Sequence, residues 1–152
     1  MMAKEENETP TDAAHVVVGI DGSPASEDAL EWAARQAEIT HSSLEVIAAW
    51  DWPSTYGWSV PFPTGFDPEA ASETLLGRVA QAARDRHPVL EITTRSVQGH
   101  PAPALVEASK GASLLVVGSR GHGEFVGMLI GSVSEFCATK AHCPVLVHRS
   151  LH

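Results

Sequence analysis

The chain has 152 residues and a formal net charge of −9, with 10 Lys and Arg against 19 Asp and Glu. A single domain of this length buries roughly 70% of its extended-chain surface, so it needs no disulfide or metal staples. The acidic balance speaks against nucleic acid and against an anionic membrane, since both need clustered cations, but it leaves room for a nucleotide held by backbone amides.

Residues 1–14 are polar, acidic and aperiodic, and are expected to form a disordered tail ahead of one domain spanning 15–150. The N-terminal stretch lacks the apolar segment of a signal peptide. No apolar run approaches the ~18 residues of a membrane span, so the expected compartment is the cytoplasm. Cys137 and Cys143 read as buried thiols rather than a disulfide framework.

Residues 15–20 are a short apolar run and read as the first strand. Asp21-Gly-Ser-Pro24 is a turn into the first helix, with Ser23 as N-cap and Pro24 at the first helical position. Ala25, Ala29, Ala33 and Ala37 recur every four residues, and Leu30 and Ala34 widen that stripe. A second strand follows over 44–50. Next comes a long loop, 51–68, with Pro53, Pro61, Pro63 and Pro68 and the aromatics Trp52, Tyr56, Trp58, Phe62 and Phe66. At about 18 residues it is longer than most connections, and it reads either as a flap packed on its own domain or as a ligand- or partner-covering segment.

A second helix is expected over 69–87, with Leu75, Leu76, Val79, Ala80 and Ala83 on one side, and a third strand over 89–97, nearer a sheet edge. A third helix over 101–110 is ended by Gly111. The fourth strand is 114–117, the fourth helix 132–141 and the fifth strand 144–149. Strands alternating with helices mean βαβ units, an α/β fold and a mostly parallel sheet.

The most informative segment lies between the fourth strand and the fourth helix. Gly118, Gly121 and Gly131-Ser132 fit the spacing G-x2-G-x9-G-[ST] between an apolar strand ending at Val117 and a helix start. Glycines let the backbone approach a ligand closely, and the unpaired N–H groups of a first helical turn face negative charge. The amides of Ser132 and Val133 and the hydroxyls of Ser132 and Ser134 are candidate donors there. Arg120 has two readings, a phosphate partner or a solvated cation.

That spacing resembles the universal stress protein family, whose ATP-binding members carry it at this place. The resemblance extends to the first strand and turn, Val16-Val-Val-Gly19-Ile20-Asp21-Gly22-Ser23-Pro24, and to the last strand, Ala141-His-Cys-Pro144-Val-Leu-Val147. It covers roughly residues 16–149. It implies an open five-stranded, Rossmann-like sheet of order 3-2-1-4-5, with helices on both faces. It also implies an adenine-nucleotide site, ATP or else AMP or ADP, with or without Mg²⁺. Ligands in such sheets bind where the strand order reverses. The implied contacts are Asp21 at the ribose or base, Gly19, Ile20 and Ala49 near the base, and Val117, Gly118, Arg120, Gly121, Gly131, Ser132, Val133 and Ser134 around the phosphates. Asp21 has a second reading, an Asx turn supporting the helix start. Glu124 departs from the small residue common in the family, which bears on triphosphate against monophosphate.

The resemblance implies a homodimer through the fifth strand, 144–149. A short apolar strand at a sheet edge points the same way, since such edges are paired or covered. The function expected is regulatory nucleotide binding in a stress response. A slow Mg²⁺-dependent ATP hydrolase and a nucleotide-independent interaction module are the alternatives. Gly121-His-Gly123-Glu-Phe-Val-Gly127 is poorly placed for a dinucleotide fingerprint, which should follow the first strand of its unit. The eight histidines show no metal-ligand spacing, and no G-x-S-x-G elbow or Walker A loop is present.

Overall fold

Among the described residues, short apolar runs separated by helices give nine elements in strict alternation. The computed structural model describes residues 14–52, 64–119 and 130–150, so the tail expected over 1–14 lies almost wholly outside them. In chain order the elements are β1 (His15–Ile20), α1 (Pro24–Ile39), β2 (Ser43–Trp50), α2 (Pro68–Arg86) and β3 (Ile92–Gln98). Then come α3 (Pro101–Ala108), β4 (Leu114–Gly118), α4 (Ser132–Lys140) and β5 (Val145–His148). The five strands form one sheet of order β3-β2-β1-β4-β5. All four pairings are parallel, with Gly19 beside Ile47, Val18 beside Val116 and Gly118 beside His148. The order reverses between β1 and β4, which is the switch point expected from the sequence.

The pleat of β1 divides the core. Val16, Val18 and Ile20 face α1 and α2, where Ala29, Leu30, Ala33 and Ala37 lie against them. Val17 faces the other way, with Ile47, Leu115 and Val117, onto Leu105 of α3 and Cys137 of α4. The small residues of α1 let its axis lie close to the sheet. Ser26 is buried in that face, where the four-residue repeat had pointed to Ala25, which stays half-buried. Ser23 caps α1 as expected, its hydroxyl accepting from the Ser26 amide at 3.2 Å, with Pro24 in the first turn.

Element ends differ from the sequence expectation, several by a single residue, and for three boundaries the hydrogen bonds give the reason. β3 begins at Ile92 rather than at residue 89: the Leu90 amide donates to His87 O in a turn, and Val89 is fully in solvent. α3 ends at Ala108, because the Ser109 amide already shares the carbonyls of Leu105 and Val106. α2 gains its first residue from Pro68, since Asp67 caps it by accepting from the Ala70 amide at 3.1 Å.

Gly111 follows α3 with φ +79, and a Cβ there would meet nothing within 4 Å. Gly111→Ala therefore isolates the cost of left-handed backbone, about 1–2 kcal/mol. Chemical denaturation should show a lowered midpoint with an unchanged m value; an unchanged midpoint would contradict the assignment.

Cys137 is buried as expected, whereas Cys143 is only half-buried. Burial raises the Cys137 thiol to about 11, and burial also raises Cys143. At pH 8 a thiol reagent should leave Cys137 unlabelled in the native protein and label it after unfolding. Labelling of native Cys137 on mixing would contradict this burial.

Candidate nucleotide cleft

The N-termini of α3 and α4 meet the carboxyl ends of β1, β2 and β4, with the start of α1 at the edge. A cleft opens there, with about 550 Å³ of free space counting the part open to solvent. Its floor is the sheet face that carries α3 and α4. Gly19, Ile20 and Asp21 enter from β1 and its end, Ile47 and Ala49 from β2, and Val117 and Gly118 from β4. Pro101 and Leu105 of α3 form one wall, and Gly131, Val133 and Ser134 at the start of α4 form another. Ser26 completes the lining beside Asp21.

The floor of the cleft carries two small strand positions, Gly19 and Ala49, on the same sheet face as Ile47 and Val117, and Leu105 of α3 reaches in directly over Gly19. The slot is therefore apolar in its depth, while its mouth carries backbone donors. Gly131 is the N-cap of α4, and no side chain caps that end among the described residues. The first helix bond runs from the Glu135 amide to Gly131 O, so the Val133 amide has no acceptor within the helix. α3 begins beside the same cleft, with His100 at its N-cap position making no side-chain cap bond. Two helix dipoles thus present their positive ends to one opening.

Asp21 serves the turn. Its Oδ1 accepts from the Ser23 amide at 2.9 Å and from the Ser23 hydroxyl at 2.6 Å, and its own amide donates to Ser26 Oγ at 3.2 Å. This is the Asx-turn reading, and it fixes the β1–α1 corner at the cleft edge. Ser134 is buried, and its hydroxyl donates to Gly131 O at 2.9 Å. Its one proton is spent on the backbone, so Ser134 steadies the Gly131 turn rather than offering a hydroxyl donor to the opening. Ser119 tightens the same turn, its carbonyl accepting from the Gly131 amide.

Nine of the twelve residues singled out from the sequence line the cleft: Gly19, Ile20, Asp21, Ala49, Val117, Gly118, Gly131, Val133 and Ser134. Ser132 is exposed at the start of α4 and is not part of the lining. Arg120 and Gly121 lie outside the described residues. Sequence reasoning missed Ser26, Ile47, Pro101 and Leu105. For Leu105 a signal existed: a glycine inside an apolar strand marks close approach by another element. Of the aromatic loop, Trp52 and Phe66 are described, with ring centroids 5.9 Å apart. Tyr56, Trp58 and Phe62 lie outside the described residues.

The sequence model of the universal stress protein family matches residues 13–149. The chain belongs to that family. Universal stress protein Rv2623 of Mycobacterium tuberculosis is 37% identical over 147 residues, covering 90% of this chain and 45% of the relative. A universal stress protein of Mycolicibacterium smegmatis is 37% identical over 134 residues, covering 88% of this chain and 45% of its own length. The chain thus spans just under half the length of these family relatives. Among solved structures, a universal stress protein in complex with cAMP superposes with a TM-score of 0.68 at 29% identity, covering 90% of this chain and 97% of that one. A universal stress protein family member from Burkholderia pseudomallei gives 0.65 at 25% identity, covering 93% and 100%. The all-parallel sheet of order 3-2-1-4-5 is the universal stress protein fold. Among the described residues, no helix is long and apolar enough to cross a membrane.

Proposed function

We propose that this universal stress protein binds an adenine nucleotide, ATP in our reading, in the cleft between α3 and α4, and acts by regulation in a stress response rather than by turnover. The carrying observation is the join of an apolar slot to two helix N-termini at the switch point of the sheet. A base enters the slot over Gly19 and Ala49, and phosphates meet the Val133 amide beside the backbone of Gly118 and Gly131. Arg120, Gly121 and Ser132 complete the phosphate side in this reading, on the strength of the glycine spacing. The family member solved with cAMP supports adenine as the base.

A slow Mg²⁺-dependent hydrolase is the second reading. Asp21, the carboxylate that lines the cleft, already accepts two hydrogen bonds from Ser23, which favours binding over water activation. We further propose that residues 15–150 act as one unit, and that two copies pair through β5. That strand is a sheet edge, half-buried along its whole length, with Val145, Leu146 and Val147 apolar.

Calorimetric titration with ATP, ADP, AMP and cAMP, with GTP as the control, tests the nucleotide reading. Saturable heat from the adenine series and at least roughly tenfold weaker GTP is the expected result. No heat from any adenine nucleotide would overturn it.

A further inference from the structure

Gly19 sits in the middle of the slot floor, and the nearest group above it is Leu105. An ideal Cβ on Gly19 would lie 2.6 Å from Leu105 Cδ1, 3.0 Å from Cδ2 and 3.3 Å from Cγ. Carbon atoms pack at about 3.5–4.0 Å, so the leucine occupies the space a side chain at position 19 would need. Leu105 is almost wholly buried, yet it lines the cleft. It belongs to the same buried cluster as Val17, Leu115 and Cys137.

We propose that Leu105 is the depth stop of the slot, that Gly19 is the position that admits it, and that the pair sets which flat ring fits. This rests on the adenine-nucleotide reading above. The physical reason is the direction in which Leu105 can yield. Its inner neighbours Val17, Leu115 and Cys137 are fully buried and close-packed, so they give little. The unfilled volume is the cleft itself. A methyl added at position 19 therefore displaces the leucine terminus into the slot and shortens it. Shortening Leu105 to alanine does the reverse and deepens the slot. Made together, the two changes exchange one occupant of the space for another, since the new Cβ fills part of what the isobutyl group leaves.

cAMP binding by wild type, Gly19→Ala, Leu105→Ala and the double variant measures this coupling, with thermal unfolding followed for each. Gly19→Ala should lose roughly tenfold or more in affinity, the scale at which one misplaced methyl group counts in a fitted pocket. The double variant should bind better than Gly19→Ala alone. Equal binding by wild type and Gly19→Ala, or a double variant as weak as Gly19→Ala, overturns the proposal.

The wild-type protein supplies a readout that needs no variant to fold: the methyl resonances of Leu105 and the amide resonances of Gly118 and Gly131 on adding cAMP. Movement of both sets supports the depth stop, because a stacked ring shifts the methyls it touches. Movement of the amides with still Leu105 methyls overturns the stop and leaves the nucleotide reading standing. No movement in either set overturns both.

Discussion

Gly131→Val is expected to weaken ATP binding by about 10- to 100-fold while the protein stays folded. Gly131 has φ −79 and ψ 166, an extended conformation open to any residue, so valine adds bulk without backbone strain. The position is buried at the mouth of the cleft, and its amide holds Ser119 O. A branched side chain there keeps an anion away from the amides that open α4. Hydrogen bonds to a charged group are worth about 1.5–3 kcal/mol each, and about 1.4 kcal/mol is a factor of ten. Loss of one such bond gives the stated range. Calorimetry on wild type and variant, beside their unfolding midpoints, measures it. Equal affinities would place the phosphates elsewhere.

His87→Ala is expected to cost about 2–4 kcal/mol of stability and leave nucleotide affinity unchanged. At about 2–4 °C per kcal/mol for a chain of this size, the melting temperature should fall by roughly 5–15 °C. His87 is the C-cap of α2, and its buried ring joins α2 to α1. Nδ1 lies 2.8 Å from Glu38 Oε1 and Nε2 lies 3.1 Å from Glu31 Oε2. Arg86 Nε donates to the other oxygen of Glu31 at 2.8 Å. Alanine leaves two neighbouring carboxylates without the imidazole between them.

The pH dependence has a definite sign. Burial pushes the Glu31 carboxyl upward, but hydrogen bonds from Arg86 and His87 outweigh it and hold the group below 4.5. A carboxyl lowered in the folded state stabilises the fold above its unfolded value and loses that contribution as pH falls through the folded one. Wild type should therefore lose stability on acidification below about pH 4.5, and His87→Ala should lose less over the same range. A melting temperature within about 1 °C of wild type at pH 7 would show the ring to be incidental.

Much of the fold was legible because the strands are short apolar runs and the helices carry explicit starts. Ser23-Pro24 and Gly111 are local chemistry, readable without tertiary context. The sheet order came from the resemblance rather than from periodicity. Val89 was misread because alternation continues through Leu90 and Ile92, whereas the His87–Leu90 turn holds Val89 in solvent. On the cleft, the sequence indicated the glycine edge and the strand ends, which lie close together along each motif. Gly19 within an apolar strand signals that some element approaches closely, but not that Leu105 and Pro101 of α3 supply it, since that helix's approach is set by packing across the sheet. Nor could the sequence show that Ser134 spends its proton on Gly131 O, since a hydroxyl's partner is a matter of geometry.

The most direct test of the site is a crystal structure of the protein grown with ATP. The adenine should lie in the slot over Gly19 and Ala49 and against Leu105, with phosphate oxygens beside Gly118 and Gly131 and within hydrogen-bond reach of the Val133 amide. A nucleotide bound outside that cleft, or a cleft left empty at saturating ATP, would contradict it.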